Sequence, residues 1–271
     1  MLEVKDLKKY FPVKKGVLQR TVGFVKAVDE VSFSIGKGET FGLVGESGCG
    51  KTTTGRLLLR LLQPDAGDIY FEGRNIYSLG KRELVNLRKD MQIIFQDPFS
   101  SLNPRMKVKD IVSEGLQLHK KYTASEIDKN CDKTLELVGL PKEYKYRYPH
   151  QFSGGERQRI GIARAIILEP KFIVCDEPVS NLDVSIQAKI LKLLKELKAN
   201  LKLTYLFITH DLSVVANMCE RVAVMYGGKI VEHGSVKDIY VNPKHEYTKR
   251  LLRSIPIPDP KARGKNKELH F

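Results

Sequence analysis

The stretch GESGCGKT, residues 45–52, decides the fold because it matches the phosphate-loop pattern G-x-x-x-x-G-K-[ST] without a mismatch. It follows a short apolar segment, residues 39–44, that is predicted as a strand, and it precedes a segment with helical spacing, 53–62, predicted as a helix that stops at Pro64. A glycine-rich loop between a strand and a helix turns backbone N–H groups toward an anion, and the positive end of the helix dipole adds to that attraction. The predicted phosphate-binding residues are Gly45, Glu46, Ser47, Gly48, Cys49, Gly50, Lys51, Thr52 and Thr53.

Four side chains in two segments indicate hydrolysis of a bound nucleotide. In the phosphate loop, Lys51 can reach the β- and γ-phosphates, and the Thr52 hydroxyl can ligate Mg²⁺. A second apolar stretch, FIVCDEP at residues 172–178, reads as a buried strand that ends in two carboxylates. Asp176 is predicted to hold Mg²⁺ through water, and Glu177 to polarise a water for in-line attack on the γ-phosphate. Together with the phosphate loop, this pair is a strong signal.

A second candidate anion site lies in FSGGERQR, residues 152–159. Its serine and two glycines stand at the start of a predicted helix, where exposed N–H groups favour an anion. One nucleotide needs only one phosphate loop. We therefore predict that Ser153, Gly154 and Gly155 close on a nucleotide that another subunit holds.

The composition is that of a globular protein with a full core. The chain has 271 residues, of which 42% are hydrophobic, 8% aromatic and 29% charged, and this excludes collagen-like, low-complexity and disulfide-scaffold classes. It has neither a run of 18 apolar residues nor the apolar stretch of a signal peptide at its start. Its four cysteines form no C-x-x-C pair, so a zinc ribbon is not indicated. The net charge of +14 leaves nucleic acid, an anionic membrane surface and phosphate-rich substrates open.

The order of patterns along the chain favours an α/β core with an insertion. Apolar strand patterns at 171–175, 204–208 and 221–225 alternate with an amphipathic helix pattern at 185–201, which predicts a mostly parallel sheet. Residues of about 98–168 carry helical patterns without a buried strand, and they are predicted to be a helical insertion between two halves of the core.

In order and spacing, the phosphate loop, FSGGE, the strand ending in Asp176 and a later Thr209-His210-Asp211 resemble a nucleotide-binding domain of the ABC (ATP-binding cassette) type. The resemblance covers roughly residues 1–235, with 236–271 as a short C-terminal extension. It implies an ATPase of α/β class, with a P-loop NTPase (RecA-like) core and a mostly parallel sheet. It also implies an N-terminal antiparallel β subdomain and an inserted helical subdomain.

The resemblance also implies roles for single residues. Gln96 would contact Mg²⁺ and the attacking water, which adds it to Thr52 and Asp176 as a metal-site residue. His210 would contact the γ-phosphate, so the implied catalytic residues are Glu177, His210 and Gln96. The aromatic side chain that stacks on adenine would be Phe11, with Tyr10 close behind in spacing, and residues 181–183 resemble the D-loop.

Three segments resemble the dipeptide and oligopeptide importer branch, which also includes nickel importers. They are a long basic N-terminal insertion at 11–33, QDPFSSLNPRMKV at 96–108, and VNPKHEYTKRLLRSIPIPDP at 241–260. The branch implies ATP and Mg²⁺, a second nucleotide-binding subunit in a homo- or heterodimer, and transmembrane permease subunits. It also implies an extracytoplasmic substrate-binding protein and a peripheral location at the cytoplasmic face of the cell membrane, with no nucleic acid partner.

The alternatives are a nickel importer ATPase of the same branch and an ABC ATPase that acts on nucleic acid or ribosomes. The charge of +14 supports the nucleic-acid alternative. Proteins of that kind usually carry two cassettes, or long coiled-coil or zinc insertions, and none is present here. A non-catalytic nucleotide-binding regulator is disfavoured because Asp176 and Glu177 are both in place.

Overall fold

The computed structural model describes residues 1–16, 20–119 and 122–253. The strands are β1 (Leu2–Lys15), β2 (Arg20–Ile35), β3 (Thr40–Val44), β4 (Ala66–Phe71), β5 (Arg74–Asn75), β6 (Met91–Ile94), β7 (Phe172–Asp176), β8 (Thr204–Thr209), β9 (Arg221–Tyr226) and β10 (Lys229–Ser235). The helices are α1 (Lys51–Leu58), α2 (Lys81–Asp90), α3 (Val108–His119), α4 (Ala124–Leu137), α5 (Gly154–Ile166), α6 (Val184–Leu201), α7 (Leu212–Met218), α8 (Val236–Val241) and α9 (Glu246–Arg253), with short 3₁₀ turns at Lys142–Tyr146 and Pro149–Gln151.

The core sheet has six strands in the order β10-β9-β3-β8-β7-β6. Its five strands from β9 to β6 run parallel, and β10 pairs antiparallel with β9 at one edge. Every residue of β3, β7 and β8 is buried, as expected of central strands covered by helices on both faces. Helix α6 covers part of this sheet with Ile190, Leu193, Leu194 and Leu197, which recur at helical spacing. The predicted mostly parallel sheet is confirmed.

A second sheet, of order β2-β1-β4-β5, is antiparallel throughout, which confirms the antiparallel β subdomain. Its apolar face packs with α1 into one core that includes Leu7, Ile69 and Leu57. Strands β1 and β2 are long because they pair with each other up to the Lys15–Arg20 register. Residues 17–19 of the basic insertion lie outside the described residues.

The insertion between β6 and β7 is helical, as predicted. Its helices α3, α4 and α5 share one core, with Val112, Leu135 and Ile162 almost completely buried. Helix α4 begins with a capping box in which the Thr123 hydroxyl accepts from the Glu126 N–H, at 3.3 Å. Among the described helices, none combines the length and apolar character that a membrane crossing requires.

The predicted helix after the phosphate loop is too long by several residues. Helix α1 ends at Leu58 because Arg60 adopts a left-handed conformation (φ 51°). The Leu61 N–H then returns to the Arg56 carbonyl, which closes the helix end. The Arg60 guanidinium holds the turn by donating to the carbonyls of Ile76 (3.0 Å) and Leu79 (2.8 Å).

Helices α8 and α9 lie in the predicted C-terminal extension, where the sequence pattern weakens. Val236, Ile239 and Tyr247 of these helices pack against Val222 and Val224 of β9 in a third buried cluster. The extension therefore shares a core with the parallel sheet up to residue 253. Its remainder, 254–271, lies outside the described residues.

Candidate functional site

Four parallel strands end at one edge of the core sheet, and a chemically important segment follows each of them. The phosphate loop follows β3, Gln96 follows β6, Glu177 follows β7 and His210 follows β8. In open α/β sheets ligands bind at this carboxyl edge. The segments surround an open cavity of about 590 Å³. Its lining residues are Ala27, Gly45, Glu46, Ser47, Gly48, Gly50, Lys51, Thr52, Thr53, Gln96, Glu177, His210 and Leu251.

The phosphate loop has a backbone that only glycine allows at key positions. Gly50, which precedes α1, has φ 111°, and a Cβ atom there would lie 2.0 Å from the Ala27 carbonyl oxygen. Gly48 is also left-handed, with φ 81°. These conformations curl the backbone before the helix N-terminus, so that N–H groups can converge on an anion.

Lys51 lies inside this loop and is almost completely buried. Its Nζ donates to the carbonyl oxygens of Gly45 (2.7 Å) and Glu46 (2.9 Å). Cys49, predicted as a loop residue, lies behind the cavity surface, with its Sγ 3.9 Å from the same Nζ. The ammonium group is thus held beside the loop that would enclose the phosphates.

Thr52 and Asp176 form the candidate metal position. The Thr52 hydroxyl donates to Asp176 Oδ1 at 2.9 Å. Burial raises the pKa of Asp176 above its usual range, although the Thr52 hydrogen bond opposes that shift. A hydroxyl and a buried carboxylate are hard oxygen ligands that fit Mg²⁺, and a cation would relieve the burial of the charge. Among the described residues, no group of three or more His, Cys, Asp or Glu side chains could hold a metal ion. Mg²⁺ in nucleotide sites usually keeps several waters and binds substrate phosphates beside one or two carboxylates.

Two side chains, Gln96 and His210, contact the Glu177 carboxylate. Gln96 donates its Nε2 to Glu177 Oε2 at 3.1 Å, and His210 Nδ1 lies 3.1 Å from the same oxygen. Glu177 has φ 47°, an unusual backbone conformation for a non-glycine residue, and its N–H donates to the Ile208 carbonyl. Such strain is typical of functional sites. The carboxylate is thus fixed at the cavity wall, where an attacking water could lie.

The FSGGE segment lies apart from this cavity. Ser153 caps α5: its hydroxyl accepts from the Glu156 N–H, and it donates to Glu156 Oε2 at 2.8 Å. A Cβ on Gly155 would lie 2.7 Å from Ile186 Cγ2, which explains the glycine. Neither Ser153 nor the two glycines line the cavity within the described part of the chain. Their use by a second subunit stays a prediction.

Phe11 is also outside the set of lining residues that the structure describes. It pairs with Val25 across the β1–β2 hairpin, is 38% exposed, and lies under the Lys9 ammonium, 5.6 Å from the ring centroid. The alternative, Tyr10, donates its hydroxyl to Asp29 Oδ1. Stacking of Phe11 on adenine stays a prediction.

Sequence patterns assign no role to Ala27, which lines the cavity, or to three residues of α9 at or near it. Leu251 of α9 lines the cavity, and Tyr247 and Arg250 of the same helix contact Glu46 of the phosphate loop. The one signal for the α9 residues was the motif at 241–260, which marks a family branch but carries no recognisable chemistry.

Comparison with known proteins agrees with this geometry. Residues 28–180 match the family described as "ABC transporter", and residues 231–270 match "Oligopeptide/dipeptide transporter, C-terminal region". The oligopeptide transport ATP-binding protein AppF of Bacillus subtilis is 53% identical over 258 residues, which cover 95% of this chain and 78% of AppF. OppF of the same organism is 53% identical over 262 residues, which cover 96% of this chain and 84% of OppF.

Solved structures show the same fold. The dimeric post-hydrolysis structure of the ATP-binding cassette MJ0796 with ADP and Pi has a TM-score of 0.75 and 28% identity, over 87% of this chain and 99% of MJ0796. CbiO1 from Clostridium perfringens, described as part of the ABC transporter complex cbiONQ, also has a TM-score of 0.75, with 29% identity, over 89% of this chain and 90% of cbiO1. The predicted fold class is confirmed.

Proposed function

Since this chain belongs to the ABC transporter family, whose ATP-binding subunits hydrolyse ATP, we propose that it powers the import of dipeptides or oligopeptides. The single observation that carries the proposal is the conjunction of a complete phosphate-loop site with a C-terminal region of oligopeptide and dipeptide transporter type at 231–270. The 53% identity to two oligopeptide transport ATP-binding proteins supports the same substrate class.

In the proposed mechanism, the loop from Gly45 to Thr53 and the Lys51 ammonium bind the triphosphate of ATP. Thr52, Asp176 and Gln96 would hold Mg²⁺, which neutralises charge on the phosphate oxygens when bound. Glu177 orients the attacking water and accepts its proton, since its carboxylate is fixed at the cavity wall. His210, which also contacts the Glu177 carboxylate, would contact the γ-phosphate.

The remaining predicted residues would complete the site from outside the cavity. Phe11 would stack on the adenine. Ser153, Gly154 and Gly155 would bind the γ-phosphate of an ATP held by a second subunit, identical or related. The exposed N-terminus of α5 supports this arrangement because a helix end attracts an anion only within its first turn. The dimeric state of the structurally similar MJ0796 cassette supports it as well.

We further propose that residues 1–235 form the nucleotide-binding domain and that 236–271 form its extension. The dimer would bind transmembrane permease subunits at the cytoplasmic face of the cell membrane, and a substrate-binding protein outside would deliver peptide. The structurally similar cbiO1 is part of an ABC transporter complex, which supports a permease partner for this chain. Closure of the dimer and hydrolysis of ATP would then drive the permease between inward-facing and outward-facing states.

Asp176→Asn tests the metal role. Because Asp176 is predicted to hold Mg²⁺ through water, we expect Mg²⁺ affinity to fall about 10- to 100-fold, the usual loss when a partner of the metal's ligands is changed. ATP binding measured in EDTA should change little, because Lys51 and the loop backbone are intact. Titration of Mg²⁺ against ATP binding measures this, with Asp90→Asn as control, since Asp90 lines a different surface pocket. An unchanged Mg²⁺ titration would remove Asp176 from the metal site.

The proteins that co-purify with this chain test the proposed role in peptide transport. A tagged full-length chain should be isolated from detergent-solubilised membranes of its own source, and we expect two polytopic membrane proteins to accompany it. In proteoliposomes, its ATPase rate should rise when the binding protein carries peptide. Stimulation by Ni²⁺ instead would favour the nickel importer. Recovery of nucleic acid, with binding that weakens steeply as salt rises, would favour the alternative that the charge of +14 supports.

A further inference from the structure

Helix α9 is anchored beside the phosphate loop, and the proposed function gives it no role. The turn before it is held by Glu232 of β10, whose carboxylate accepts from the N–H groups of Lys244 (2.7 Å) and His245 (3.0 Å). The Tyr247 side chain is only 5% exposed and packs on Tyr226 at the end of β9, with ring centroids 4.3 Å apart. The position of α9 is therefore fixed from both sides.

From this position, α9 contacts the loop through two side chains. The Tyr247 hydroxyl accepts from the Glu46 N–H at 2.9 Å. Arg250 lies over the Tyr247 ring and pairs with Glu46 Oε1 at 3.3 Å. The arginine pair is largely exposed and contributes little. The hydroxyl contact is to backbone, so it constrains the loop itself.

The peptide unit that Tyr247 contacts is also the one that Lys51 contacts. The Glu46 N–H and the Gly45 carbonyl belong to the same planar Gly45–Glu46 peptide. Tyr247 binds its N–H, and the Lys51 ammonium binds its carbonyl at 2.7 Å. Rotation of this peptide would remove the carbonyl from Lys51 and the N–H from Tyr247 at once.

Position 45 makes such a rotation easy unless something restrains it. A Cβ on Gly45 would lie 2.2 Å from the Met225 carbonyl oxygen, so a glycine is required there. Glycine has the widest backbone freedom of all residues. Gly45 has no side chain that could restrain the peptide after it. The Tyr247 hydroxyl, which accepts from the Glu46 N–H, provides that restraint.

We propose that Tyr247 is a positioning residue for nucleotide binding, which fixes the Gly45–Glu46 peptide and through it the Lys51 ammonium. The inference rests on the proposed binding of ATP in this cavity. It gives the C-terminal extension a direct function in that binding, because a loop already held in its binding conformation loses less freedom when the triphosphate enters.

Tyr247→Phe tests this with minimal disturbance, since the buried ring and its packing on Tyr226 remain. We expect the Kd for ATP to rise about three- to ten-fold, the range that corresponds to one net hydrogen bond. The KM for ATP should rise in parallel, while kcat at saturating ATP stays near the wild-type value because the Gln96–Glu177–His210 group is untouched. The Kd is measured on the full chain with a fluorescent ATP analogue.

Tyr240→Phe is the matched control. The half-buried Tyr240 hydroxyl donates to the Leu212 carbonyl, so this variant also removes a tyrosine hydrogen bond from the extension but leaves the phosphate loop unchanged. It should lose comparable thermal stability and keep its Kd for ATP. Equal weakening in both variants would mean that the extension acts through stability only. An unchanged Kd in Tyr247→Phe would overturn the inference. If the wild-type chain fails to bind ATP and Lys51→Ala gives the same binding signal as wild type, the proposed function itself is overturned.

Discussion

Glu177→Gln is expected to bind ATP like the wild-type protein and to hydrolyse it about 10²- to 10⁴-fold more slowly, the usual contribution of a positioned general base. The amide keeps the size of the carboxylate but cannot take a proton from water. Gln96 and His210 contact a single oxygen of Glu177. The carboxylate is therefore held in one orientation at the cavity wall.

The same variant should accumulate as an ATP-bound dimer, because closure that is not followed by hydrolysis does not reverse. Size-exclusion chromatography with ATP measures the dimer, and phosphate release measures hydrolysis. Glu196→Gln is a suitable control, since Glu196 is an exposed acid on α6 paired only loosely with Lys192, at 3.9 Å. Turnover within a few-fold of wild type in Glu177→Gln would show that another group, or water alone, acts as base.

The parts of this site that the sequence predicts by residue chemistry are those with a strong local pattern. The loop at 45–52 directly follows β3, while Asp176 ends β7 and Glu177 comes next. The apolar runs of both strands indicate buried parallel strands. Glycine spacing and adjacent carboxylates are local features. Predictions based on them do not depend on the predicted lengths of the neighbouring helices and strands. For that reason the misjudged end of α1 did not affect the loop prediction.

Gln96 and His210 were recognised only through resemblance to a family. Strand β6, which precedes Gln96, has four residues and follows directly on α2, so its pattern is too short to identify. The contacts of both residues with Glu177 join positions 81 and 33 residues apart. Such contacts depend on the strand order of the sheet, and periodicity does not reveal that order.

Tyr247 shows most clearly which contacts local sequence patterns cannot predict. It contacts Glu46 across 201 residues of sequence, from a helix that sits where the strand and helix patterns weaken. Helix α9 has only eight residues, and the turn at Glu232 and packing on β9 hold it in place. Tertiary contacts of this kind outweigh local propensity, and only the assembled fold displays them.

Ser153→Ala is expected to leave ATP binding by the monomer unchanged but to weaken ATP-dependent dimerisation and to suppress hydrolysis. Lys51→Ala should weaken ATP binding itself, because the buried ammonium lies in the cavity wall. Ser153 is exposed at the start of α5 and outside the cavity lining of the described chain. If its hydroxyl and the N–H groups beside it bind phosphate, that phosphate belongs to a second subunit.

Loss of a helix cap also destabilises a protein, by about 1 kcal/mol, so Ser153→Ala needs a matched control. Ser235 caps α8 in the same way: its hydroxyl accepts from the Asp238 N–H and donates to the Asp238 carboxylate. Ser235→Ala should therefore lose similar stability while it keeps dimerisation and hydrolysis. Thermal unfolding of both variants, followed by size-exclusion chromatography with ATP, separates the two effects.

Mixing the two defective chains gives the decisive measurement. In a mixed dimer of Lys51→Ala and Ser153→Ala chains, one site carries both defects and the other is intact. The intact site has the phosphate loop of the Ser153→Ala chain and the FSGGE segment of the Lys51→Ala chain. Each homodimer carries one defect in both sites, so activity that returns only on mixing requires the two motifs to act across subunits.

Recovery also requires that one intact site can turn over alone, which a mixture of wild-type and Lys51→Ala chains tests independently. If Ser153→Ala abolishes ATP binding to the monomer, the FSGGE segment acts within its own chain. The prediction of a site shared between two subunits is then wrong.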